Sequence, residues 1–103
     1  MMFSKTFLTA ALFACVANAA RVELYSTRSC SGTPQEDFQN VACDTCISPA
    51  GDFYAAQVSE IGDTRWSINN EKDCTSASQV GQAYGDGCGI AGSTAIKSVY
   101  VSC

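Results

Sequence analysis

Seven cysteines in 103 residues, with no histidine anywhere, restrict this chain more than any other feature it has. The first, Cys15, sits in MMFSKTFLTAALFACVANA, where one cation (Lys5) precedes about ten apolar residues and the small triplet Ala17-Asn18-Ala19. That stretch reads as a secretory signal peptide over residues 1–19. It is too short for a membrane anchor, which needs roughly 20 apolar residues. Cleavage after Ala19 discards Cys15 and leaves an even set: Cys30, Cys43, Cys46, Cys74, Cys88 and Cys103. An even number in a short exported chain implies disulfides. Each contributes about 2–4 kcal/mol, against the roughly 3–5 kcal/mol that a core of this size supplies, so the bridges decide whether the chain folds. The expectation is a secreted, extracellular protein with a single disulfide-rich domain over residues 20–103.

The same inventory removes most chemistry. Without histidine there is no Ser-His or Cys-His dyad, and oxidised cysteines cannot act as nucleophiles. Cys43-Asp44-Thr45-Cys46 has the spacing of a redox pair, but Ile47-Ser48-Pro49-Ala50-Gly51 follows it as a turn rather than the helix such a pair needs. The two cysteines are therefore expected to bond to different partners. No zinc, calcium or other cofactor is expected. The acids Asp44, Asp52, Asp63, Glu71, Asp73 and Asp86 fall in turns, where carboxylates are solvated rather than paired across a glycosidase cleft. The chain is expected not to be an enzyme. Without Lys5, five cations face ten carboxylates, and 5 − 10 gives a net charge of −5. Those cations are scattered, which speaks against nucleic acid as a partner, and the acidic balance speaks against stable membrane insertion. No Asn-x-Ser/Thr acceptor occurs.

Short stretches alternate with the two-residue period of half-buried strands, and none keeps a helical period. Strands are expected over 21–25, 39–42, 53–59, 64–68, 80–84 and 96–102. Turns are expected over 29–34, 48–52, 61–63, 69–73 and 85–92. The fold class is all-β: a small disulfide-stapled β-sandwich of two related halves, about 21–63 and 65–103. Setting Arg21–Gly32 over Arg65–Ser76 aligns the arginines, Cys30 with Cys74, Val22 with Trp66 and Leu24 with Ile68. Further on, Cys46 falls over Cys88 and Ala56-Gln57-Val58 over Val99-Tyr100-Val101, at offsets of 42 to 44. A repeat of this kind predicts two β-motifs sharing one core. It also predicts bridges inside each half: Cys30 with Cys43 or Cys46, Cys74 with Cys88, and Cys103 with whichever of Cys43 and Cys46 remains. Trp66, aligned with Val22, is expected in the core.

Tyr25, six intervening residues and Gly32 resemble the aromatic-x6-glycine signature of the βγ-crystallin Greek key, and Ser98 resembles that motif's serine in its last strand. The resemblance implies that Tyr25 packs over a folded hairpin and that Gly32 takes a left-handed turn. The halves depart from the pattern in different ways: Asn69 and Ser76 replace the aromatic and the glycine in the second, and Ala55 replaces the serine in the first. The crystallin calcium signature is absent ahead of Ser98. As a whole, the leader, Tyr-x4-Cys-x-Gly and the closing Lys-Ser-Val-Tyr-Val-Ser-Cys look like the small secreted cysteine-rich proteins of filamentous fungi, some effector-like and some killer-toxin-like. That resemblance implies a non-enzymatic binding protein acting on a host or competitor cell surface, as a monomer, with an extracellular protein or cell-wall glycan as partner. The alternative is a structural, wall-associated secreted protein without toxic activity. Recognition is expected in loops 31–38 and 82–90, the second carrying Tyr84 as candidate binding residue.

Overall fold

The computed structural model describes residues 20–102, so the expected signal peptide and Cys103 lie outside the described residues. The strands are β1 (Ala20–Tyr25), β2 (Glu36–Val41), β3 (Thr45–Ile47), β4 (Ala55–Ser59), β5 (Arg65–Asn69), β6 (Gln79–Tyr84), β7 (Gly87–Ile90) and β8 (Ser98–Val101). They form two four-stranded antiparallel sheets, β2-β1-β4-β7 and β3-β8-β5-β6. The fold is all-β, as the alternating pattern predicts. Alternation in β1 buries Val22 and Leu24 and leaves Arg21 and Glu23 half-buried on the outer face. Register then completes the core. Val22 stands opposite Val58 and Leu24 opposite Ala56 in the first sheet; Trp66 stands opposite Val101 and Ile68 opposite Val99 in the second. All eight side chains are buried and meet in one cluster between the sheets.

The sequence reading is incomplete at two strands. β3 lies between the expected strand 39–42 and the expected turn 48–52, where no strand is predicted, β7 lies inside the expected turn 85–92, and β2 begins at Glu36, inside the stretch expected to be a recognition loop. These two strands carry the main topological feature: β3 follows β2 in the chain yet pairs with β8, and β7 follows β6 yet pairs with β4. Each half therefore lends its third strand to the other half's sheet.

That exchange overturns the bridges expected for Cys30 and for Cys74 with Cys88, while the one expected for Cys103 lies outside the described residues. Cys30 joins Cys88 and Cys46 joins Cys74, so both bonds cross between the halves instead of closing within them. Cys88 on β7 reaches the first sheet beside the connection that holds Cys30. Cys46 on β3 reaches the second sheet beside the connection that holds Cys74. Cys43 is also disulfide-bonded. Because Cys46 takes Cys74, the two cysteines of the Cys-x-x-Cys stretch do have different partners, and a strand rather than a helix follows Cys43.

The residues that carried the crystallin resemblance serve two different connections. Tyr25 ends β1 buried, and Gly32 has φ +86 in the following connection, where any side chain would be strained. Ser98 opens β8 and seals the other connection: its Oγ–H donates to the Glu71 carbonyl at 2.6 Å and its oxygen accepts the Cys74 N–H at 3.1 Å. The first connection, which faces Ala55 instead of a serine, is held differently. The Arg28 guanidinium lies 4.7 Å above the Tyr54 ring and donates to the Gly92 carbonyl at 2.9 Å.

Candidate functional site

Strand exchange brings β6 and β7 together although they belong to opposite sheets, each as the outermost strand of its own. The sandwich is open along this seam. Large exposed apolar side chains among the described residues are Val80 (46%), Tyr84 (69%) and Ile90 (46%), and all of them lie on these two strands. Water-facing apolar residues are common singly; here they gather on two neighbouring strands, with Val80 and Ile90 lining the opening between them.

The opening follows from small residues. Gly81 and Ala83 face inward from β6, opposite Ile68 and Trp66, and Gly87 and Gly89 face inward from β7, opposite Val58 and Ala56. With so little bulk on the inner face of both outer strands, a slot of about 140 Å³ remains, floored by Trp66 and Ile68 and walled by Val80, Ala83, Gly89 and Ile90. Trp66 itself is fixed. Its indole N–H donates to the Gly85 carbonyl at 2.7 Å, and its ring lies so close to β7 that a Cβ on Gly89 would come within 3.0 Å of it. The tryptophan is thus in the core, as its alignment with Val22 predicts, but its ring also forms the floor of the slot.

A polar strip runs beside the slot on the outer face of the second sheet. Arg65 donates from Nε to Gln82 Oε1 at 2.6 Å and from Nη2 to Gln79 Oε1 at 2.7 Å, and Tyr84 stands directly across from it. At the tight β6–β7 turn, Gly85 has φ +79, and Asp86 Oδ1 accepts the Ile61 N–H at 3.2 Å. The expected loop 82–90 is therefore a rigid strand-turn-strand, with Tyr84 on its rim. By contrast, the other expected loop, 31–38, carries no large exposed apolar residue, and Phe38 packs half-buried against the core.

Cys30, Cys43, Cys46, Cys74 and Cys88 are all oxidised, and the described residues hold no cluster of three or more metal-ligating side chains. The carboxyl of Asp37 is held below its usual range, because the Arg21 guanidinium donates to both its oxygens at 3.0 and 2.8 Å. Tyr100 is shifted the other way: desolvation first, and then its bond to Asp44 Oδ1 at 3.1 Å, raise the phenol. Neither shift makes a proton donor or acceptor poised near neutral pH. No helix among the described residues is long and apolar enough to cross a membrane.

β7 and the slot are the features that sequence reasoning missed. Gly87-Cys88-Gly89-Ile90 does alternate, but with glycine on the inner face the alternation carries no hydrophobic signal. Comparison with known proteins finds no matching family model, curated relative or solved structure.

Proposed function

We propose that the protein is a secreted, non-enzymatic binding protein, effector- or toxin-like, that docks on a host or competitor cell surface through the β6–β7 seam. One observation carries this reading: the large exposed apolar side chains Val80, Tyr84 and Ile90 all lie on β6 and β7 instead of being dispersed, and Val80 and Ile90 line the slot between these strands. Crossed disulfides favour an oxidising compartment, and the Cys30–Cys88 bond anchors β7 of the seam, which reduces the ordering cost of binding. The architectural part of the proposal is a crystallin-like pair of Greek-key motifs derived from one repeat. Reciprocal exchange of the third strands supports it, as does the alignment that sets Cys30 over Cys74 and Cys46 over Cys88, which carries one bridge onto the other.

Retention of the oxidised protein on wall and cell-surface fractions tests the functional part. The expected result is saturable retention that drops at least tenfold in a Val80→Ser, Tyr84→Ala, Ile90→Ser variant with an unchanged unfolding midpoint. Equal retention by the variant would overturn the seam as the docking surface.

A further inference from the structure

The backbone of β6 narrows the chemistry of the partner. Gly85 N–H donates to the Thr64 carbonyl at 3.0 Å, and the same register sets Ala83 opposite Trp66 and Gly81 opposite Ile68. Opposed residues in an antiparallel ladder alternate between bonded and non-bonded pairs. Counting from Gly85, Ala83 and Gly81 therefore exchange their bonds with β5, whereas the N–H and C=O groups of Gln82 and Tyr84 point away from it. β6 is outermost, so those groups face the open side. They form alternating donors and acceptors two residues, about 6.8 Å, apart, a spacing that matches an extended polypeptide.

Side-chain direction adds a second constraint. A strand laid against β6 places the residue opposite Ala83 on the inner face, beside Gly81 and Ala83 and above Trp66. That is where the slot of about 140 Å³ lies, with room for one branched aliphatic side chain. Charge adds a third. β6 and β7 contain no Asp, Glu, Lys or Arg, whereas the outer strand β2 carries Glu36 and Asp37 and a left-handed Asn40 (φ 57). Charge and backbone kinks are what normally block pairing at a sheet edge, and over Gly81–Tyr84 the ladder is regular.

We propose that β6 receives an extended, uncharged segment of a partner protein as an added strand, anchored by one Val, Leu or Ile side chain in the slot between β6 and β7. This names the partner chemistry for the binding reading above and rests on it. The test is panning of a linear peptide library displayed on phage against the oxidised protein, followed by titration and amide exchange with the selected peptide. Selected sequences should share a branched aliphatic residue and lack proline beside it. The peptide should slow exchange at the Gln82 and Tyr84 amides at least tenfold and change Gly81 and Ala83 little, since those already bond to β5. Gln82→Pro removes an outward N–H without touching the β5 ladder, and Ala83→Leu fills the slot; each should weaken binding at least tenfold. If Gln82→Pro does not fold, Ala83→Leu decides. Failure to select peptides, protection elsewhere on the molecule, or unchanged affinity in these variants would overturn the proposal. If seam-dependent retention on cell-surface fractions persisted in that case, the added strand would fall and the binding reading would stand.

Discussion

At the scale of single residues, the seam depends on Gly89. A Cβ there would come within 3.0 Å of the Trp66 ring, which is buried and held by the bond of its indole N–H to Gly85. Gly89→Ala stiffens the unfolded chain, which stabilises by roughly 0.4–1 kcal/mol. Overpacking against a fixed ring costs more, about 1–3 kcal/mol. The variant should therefore unfold at lower urea, with altered tryptophan fluorescence in the native baseline; an unchanged midpoint and spectrum would refute the close packing. Trp66 was legible as core from its alternation and from its alignment with Val22. The need for glycine opposite it was not, because that contact joins β5 of one sheet to β7 of the other and leaves no local trace.

At the scale of elements, β1 and β2 are pinned on their outer face by the two-bonded pair of Arg21 with Asp37. Asp37 has a lower pKa folded than unfolded, so over the interval between the two values the unfolded state binds more protons. The stabilisation is complete above the ordinary carboxylate pKa of about 4 and is lost as pH falls through the depressed value. An exposed pair is worth little. Asp37→Asn should lower the urea midpoint slightly at pH 7, and the gap from the parent should close towards pH 2. A gap that widens on acidification would reverse the assigned sign. Strands with apolar residues at alternate positions, β1, β5 and β8, were readable in the chain. β3 and β7 were not: the first has three residues, and the second presents glycine where a core residue normally sits.

Across the whole molecule, the Cys30–Cys88 and Cys46–Cys74 bridges each tie a connection of one half to the third strand of the other, over sequence separations of 58 and 28 residues. Loop-closure entropy assigns about 4 kcal/mol to the longer and about 3.5 kcal/mol to the shorter, comparable with the roughly 3–5 kcal/mol that a core of this size supplies. Replacing Cys30 and Cys88 together by serine should therefore destabilise at least as much as replacing Cys46 and Cys74, and full reduction should unfold the domain at room temperature. Circular dichroism during titration with reductant checks this, and a reduced protein that keeps its native spectrum would overturn it.

The amino-acid sequence by itself determined the all-β class, the aligned arginine, cysteine and apolar positions of the two halves, the burial of Trp66, and the separate partners of Cys43 and Cys46. These depend on local alternation and on spacing within the chain. Only the tertiary structure decided that the third strands change sheets, and with that which cysteines meet and where the sandwich stays open. Strand pairing is a long-range choice, fixed by which faces can be buried together, and short strands with glycine on the inner face leave that choice unwritten in any local pattern.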